Sequence, residues 1–222
     1  MRTPEQAGLV DGCWSDRRCI VVGGGLSLKG FDWSTLKNER WIGTNRAWIH
    51  NPTIGLVLDR RYQYELGKDP AWLAWDGLKM WHRPRGNLKY LPPIPEEVVV
   101  LTSTGKYNPC RSLNDGLFYG NNAGASAISL ASLLAGPTGT VYLLGFDLCG
   151  LGGMSVNWHN DYPDKWKSND SVYARYRRDI EILAGQITTR VYNVSPGKVT
   201  SLKCWPIIDK LPEKDVERKT TV

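Results

Sequence analysis

A doubly wound α/β sandwich with a mostly parallel sheet is the fold class the sequence predicts, on three observations. Short aliphatic runs recur along the chain at Arg18 to Val22, Ile54 to Leu58, Val98 to Thr102, Val141 to Leu144 and Val191 to Val194. Segments of helical pattern, rather than hairpin turns, separate most of them. Several runs end abruptly in glycine, asparagine or aspartate followed by a polar loop, which is where ligands gather in open parallel sheets.

The first strand, Arg18-Cys19-Ile20-Val21-Val22, is continuous and apolar, as a strand buried on both faces must be, and Gly23-Gly24-Gly25 turns the chain sharply at its end. Ser27 to Lys37 reads as a loop and a helical turn that Asp32 or Ser34 can cap. Trp41 to Asn45 reads as a second strand and Ile54 to Asp59 as a third. Arg60 to Trp75 is helical in pattern, with Pro70 kinking or restarting it. Strands resume at Leu78 to His82 and Val98 to Thr102, and Pro92, Pro93 and Pro95 keep these two apart. The polar stretch Ser103 to Gly120 is long for an idle connection.

Ala123 to Ala135 is the clearest helix; small or apolar on almost every face, it has to lie buried against a sheet, and Gly136, Pro137 and Gly139 stop it. Thr140 to Asp147 follows as a central strand ending in a carboxylate. A second long loop, Leu148 to Asp170, leads to a helix over Val172 to Thr188 and a strand over Val191 to Val194. The alternation predicts one Rossmann-like three-layer domain over residues 1–205 and a charged tail over 206–222, to which no role is assigned.

The 222 residues are enough for a three-layer core, and no apolar run approaches the roughly 20 residues needed to span a bilayer. Met1 to Arg18 lacks the apolar stretch of a secretory signal, so a cytoplasmic protein is expected. Five cysteines, an odd number without a CxxC pair, read as reduced thiols. The net charge of +6 favours anionic partners. Ten tryptophans are many for this length, and bases are interleaved with them in Trp81-His82-Arg83-Pro84-Arg85 and Lys165-Trp166-Lys167. That pattern fits stacking on a single-stranded nucleic acid or a sugar, and equally half-buried indoles with solvated cations beside them.

The candidate site residues lie at the C-terminal ends of the predicted strands. Gly23, Gly24 and Gly25, with Ser27 after them, form a turn whose amides can face a phosphate or ribose, although it matches neither GxGxxG nor a P-loop, and a purely structural turn is the alternative. Asn45 offers both a donor and an acceptor for a base or sugar hydroxyl, or caps a loop. Asp59 and Asp147 end strands on one edge, where each can hold a ribose, ligate a metal, or simply cap a helix or turn. Asn122 and Gly124 open the small-residue helix, whose positive end suits an anion unless close packing alone explains them. His159, in the loop Asn157-Trp158-His159-Asn160-Asp161-Tyr162, suits proton transfer near neutrality, with Asp161 able to orient it. His50 and His82 read as ordinary aromatic neighbours.

Taken together, Ile20-Val21-Val22-Gly23-Gly24-Gly25-Leu26-Ser27-Leu28-Lys29, Phe31-Asp32, Ile42-Gly43-Thr44-Asn45-Arg46, Ala123-Gly124 and Val141-Tyr142-Leu143-Leu144-Gly145-Phe146-Asp147 resemble a known superfamily. It comprises the bacterial lipooligosaccharide sialyltransferases and the 6-hydroxymethylpterin diphosphokinase MptE-like proteins, and the likeness touches about two-thirds of the chain. The resemblance implies a CMP-type nucleotide donor held by the glycine loop and Asn45, with His159 as general base and no metal. The chain departs from the family's pattern at Gly24 and Leu26, at Asn122-Ala123, and at Cys149, where a tyrosine that contacts the leaving phosphate is expected; Tyr162 is a substitute for it. Short members of this kind look like phage or prophage products.

The expected function is therefore a glycosyltransferase-like transferase that moves a sugar or other activated group from a CMP- or NDP-linked donor to an acceptor hydroxyl. One alternative is phosphoryl or diphosphoryl transfer, which needs Mg²⁺ at Asp59 and Asp147. Another is a nucleic-acid-binding or nucleic-acid-modifying protein.

Overall fold

The computed structural model describes residues 2–83, 93–105, 107–120, 122–148, 157–159, 170–195 and 203–204. Seven strands form one all-parallel sheet: β1 (Cys19–Val22), β2 (Arg40–Thr44), β3 (Ile54–Val57), β4 (Leu78–Arg83), β5 (Val99–Thr102), β6 (Thr140–Leu144) and β7 (Arg190–Asn193). A two-residue strand β8 (Lys203–Cys204), which the sequence pattern does not announce, extends the β7 edge. The order is β5-β4-β3-β2-β1-β6-β7-β8, so the chain runs outward from β1 on one side and restarts at β6 on the other. This is the doubly wound topology expected from the alternating pattern.

Strand alternation sends successive side chains to opposite faces. Cys19, Val21, Ile42, Val141 and Leu143 meet α3 (Ala123–Ala135) and α4 (Asp170–Ala184) on one face, packing against Ile128, Leu134, Ile180 and Leu183. Burial raises the Cys19 thiol well above the ordinary cysteine range, so Cys19 acts as a small apolar side chain there. Cys13, Cys19 and Cys110 are free thiols, as expected.

The other face has a different cover. Ile20, Val22, Trp41, Tyr142 and Leu144 lie under short 3₁₀ turns at Leu26–Leu28, Trp33–Leu36 and Asn45–His50, where the sequence suggests one helical turn and a strand end. Farther out, α1 (Arg60–Leu66) and α2 (Pro70–Ala74) cover Val57 and Trp81 with Trp48, Tyr62 and Trp72. Pro70 restarts the helix as anticipated, and Asp69 caps the new start by accepting from Ala71 N and Trp72 N. No described helix is long and apolar enough to cross a membrane. Trp81 and His82 are fully buried in β4, so the first of the two basic-aromatic stretches offers neither ring for base stacking; Trp166 lies outside the described residues.

Candidate functional site at the switch point

β1 and β6 are neighbours in the sheet although more than a hundred residues separate them in sequence, and Val22 pairs with Leu144 at their C-terminal ends. Here the connections leave in opposite directions, which opens a crevice. The glycine turn is held directly against the segment after β6: Gly23 N donates to Leu144 O and Gly25 N to Gly145 O, both at 2.8 Å. A Cβ on Gly23 would lie 2.6 Å from Gly145 O, and one on Gly25 would lie 2.6 Å from both Gly145 O and Asp147 Cγ. Close backbone approach therefore requires glycine at Gly23 and Gly25. Gly24 differs, since its Cβ would meet only the Asn157 side chain, at 3.0 Å.

Asp147 and Ser27 bind each other. Asp147 is 6% exposed; its Oδ2 accepts from Ser27 N at 2.7 Å and its Oδ1 from Ser27 Oγ. The two side chains thereby lock together the two loops that border the crevice. Among the described residues, the amide of Gly24 has no acceptor.

The segment Asn157 to His159 folds back onto this turn. Gly25 and Asn157 form an antiparallel bridge, Trp158 N donates to Gly24 O at 3.1 Å, and Trp158 Nε1 to Gly23 O at 3.3 Å. His159 is thereby carried to the rim, its ring 4.8 Å from that of Trp158. Asp161 and Tyr162 lie outside the described residues.

Asn45 sits just past the end of β2, in the left-handed region at φ 48°. Thr44 Oγ1 donates to Val22 O at 3.0 Å, so the end of β2 is tied to the end of β1. The Asn45 Oδ1 is shielded from solvent and has no partner among the described residues. Left-handed backbone in a non-glycine residue is strained, and such strain clusters at ligand sites. Asn122 is placed otherwise: its Oδ1 accepts from Ala125 N at 2.6 Å and its Nδ2 donates to Gly120 O at 2.9 Å. It is the cap of α3, and Gly124 allows that helix to approach Phe146, whose Cε1 would lie 2.9 Å from a Cβ there. For these two residues the helix-positioning alternative describes the structure.

No protein-family model, curated protein or solved structure matches the chain.

Asp59 accepts from Arg61 N and Tyr62 N and caps α1. It follows β3, three strands from β6, a separation of about 14 Å at ordinary strand spacing. Asp59 and Asp147 therefore do not converge on one ion. Three other residues belong to the neighbourhood: His50 and His82, read from the sequence as ordinary aromatic neighbours, and Arg177. His50 stacks on Trp33 at 3.7 Å and 6°, and both rings lie 5.2 Å from Trp158; burial first, then Arg46, lowers the His50 pKa. His82 lies beneath the start of α3 with Nδ1 2.7 Å from Ser126 Oγ, and burial pushes its pKa down to about 3, so the ring is neutral. Arg177, on α4, donates through Nη1 to Leu148 O, immediately after Asp147. No sequence signal marks Arg177, because its partner comes from a different element. A separate recess of about 420 Å³, lined by Arg2, Trp75, Asp76, Lys79 and Glu97, opens by the N-terminal ends of β4 and β5, away from this crevice.

Proposed function

We propose that the protein is a transferase that moves a sugar or another activated group from a nucleotide donor to an acceptor hydroxyl, with His159 as general base. The observation that carries this reading is the pair of hydrogen bonds from Trp158 to Gly23 and Gly24, which hold the segment that carries His159 against the glycine turn. The Gly24 amide, which has no acceptor among the described residues, and the side-chain amide of Asn45 supply donors and an acceptor for the phosphate and nucleoside. In the transfer, His159 takes the hydroxyl proton as the acceptor oxygen bonds to the transferred group. The bond to the nucleotide phosphate breaks, and its electrons leave with the phosphate. Fixed amides stabilise that developing charge without reorganisation, and positioning lowers the barrier further. The carboxylate pair expected to hold Mg²⁺ in the phosphoryl-transfer alternative is divided between a helix cap and the Ser27 lock, which favours the transferase reading over it.

The test is a melting-temperature screen with CMP, UDP, GDP and ATP and their sugar conjugates, with and without magnesium, since a ligand at a hundred times its Kd stabilises by about 2.7 kcal/mol. A specific shift without metal is expected. His159→Ala should keep that shift while slowing release of nucleotide from the donor sugar by about 10² to 10⁴. Unchanged turnover in His159→Ala, or no shift with any of these compounds, removes the proposal.

A further inference from the structure

We infer that Arg177 binds the phosphate oxygens of the nucleotide in this site, an inference that rests on the nucleotide reading above. Arg177 projects from α4 and is half-buried, and its Nη1 is bonded to the carbonyl of Leu148. Leu148 is itself anchored: it follows Asp147, which Ser27 clamps, and adopts a left-handed conformation at φ 49°, rare for a leucine. The guanidinium is thus pinned at the C-terminal end of β6, one of the two strands that form the switch point.

A guanidinium carries five N–H donors in a planar fork. One carbonyl occupies one of them, and no carboxylate among the described residues pairs with the guanidinium. The ion pairs among the described residues involve Arg17, Arg18 and Arg40 with Asp16 and Glu39, and none of them reaches Arg177. A half-buried guanidinium with donors to spare is a ready partner for an anion. The surroundings favour that anion. Asn122 caps Ala125, so the first-turn amides of Ala123 and Gly124 have no acceptor among the described residues, and the helix they open abuts Phe146, two residues before Leu148. Anionic oxygens that accept several parallel N–H bonds, as phosphate and pyrophosphate do, match this donor set.

The experiment is calorimetric titration of the full chain and of Arg177→Gln and Arg177→Lys with inorganic pyrophosphate, with the nucleoside diphosphate that shifts the wild-type melting temperature most, and with the matching nucleoside. Arg177→Gln should weaken pyrophosphate and the diphosphate about 10- to 100-fold, the effect of losing charge-assisted bonds, while nucleoside binding is unchanged. Arg177→Lys should recover only part, because an ammonium does not reproduce the fork. It also keeps the test alive if the glutamine variant does not fold. Equal affinity of wild type and both variants for the diphosphate overturns this inference and leaves the nucleotide reading standing. Failure of the wild type to bind any nucleotide overturns both.

Discussion

Alanine placed singly at Gly23, Gly24 and Gly25 should give a graded response that separates the packing role of the turn from its binding role. At Gly23 and Gly25 the new Cβ meets the Gly145 carbonyl at 2.6 Å, and backbone held by the Gly23–Leu144 and Gly25–Gly145 hydrogen bonds has little room to retreat. Overpacking of this kind costs about 1–3 kcal/mol. Gly25→Ala also drives the Cβ to 2.6 Å from Asp147 Cγ, against the bonds to Ser27; losing a charged buried hydrogen bond adds about 1.5–3 kcal/mol. At Gly24 the neighbour is Asn157 Oδ1 at 3.0 Å, the end of a side chain that can rotate away, so the cost there is under about 1 kcal/mol. In a domain of this size each kcal/mol moves Tm by about 2–4 °C. Calorimetry should rank the variants Gly25→Ala, Gly23→Ala, Gly24→Ala from most to least destabilised, with Gly24→Ala still losing nucleotide binding because it displaces Asn157 beside His159. A Gly24→Ala as destabilised as its neighbours, or a Gly25→Ala of wild-type stability, refutes the close-approach account.

Other expectations follow from single side chains. His82 has a folded pKa of about 3 against an ordinary value of 6.5, so its contribution to stability is full above 6.5 and is lost as pH falls, by about 1.4 kcal/mol at pH 5.5. Urea titrations at pH 7.5 and 5.5 should show a loss smaller by that amount in His82→Gln than in the wild type, the remainder coming from groups such as His50, whose pKa is also lowered; equal pH dependence would contradict it. Asn45→Gly should leave stability unchanged or raise it by up to about 1 kcal/mol by relieving the left-handed backbone, while weakening nucleotide binding. Loss of stability would mean that the Asn45 amide serves the fold. Asn122→Ala removes the α3 cap and should cost about 0.5–2 kcal/mol in thermal unfolding, whereas a neutral change would return Asn122 to the list of ligand contacts.

The strands were legible because a strand buried on both faces reads as an unbroken apolar run, and β1, β3 and β6 are such runs. Helix α3 was legible for a related reason, since a helix of small apolar residues has no solvent face to offer. Pro70, Asp59 and Asn122 carried local signals of helix starts, and there the local reading describes the structure. The cover over Ile20 and Val22 carried only one such signal, the Asp32 cap of the Trp33–Leu36 turn. Turns of three to six residues have no 3.6-residue period to detect, and the rings that complete the layer come from Trp33, His50 and Trp158, far apart in the chain. Distance in sequence also hid the lock. Ser27 and Asp147 each looked like a ligand contact because a polar residue at a strand end is usually open, and only the β1–β6 pairing puts one against the other. Arg177 and Leu148 were hidden in the same way.

The abundance of tryptophan has a structural cause that bears on the site. Between β1 and β2, and again between β2 and β3, no described α-helix covers the sheet, and the 3₁₀ turns in those places bury little surface by themselves. Each indole can bury 150–250 Å² on its own, a large contribution to a thin layer. Trp48 meets Trp72 edge to face at 5.4 Å, Trp72 meets Trp75 at 5.3 Å, and Trp33 meets Trp158 at 5.2 Å. Indoles arranged in this way belong to the core and its margin. Trp158 belongs both to this layer and to the crevice: its ring packs with Trp33 and His50, while its Nε1 and backbone amide hold the glycine turn. The residue after it is His159. The orientation of the proposed base is therefore set by the aromatic layer as well as by the loop that carries it, and any change that loosens the Trp33–His50 stack reaches the site through one indole.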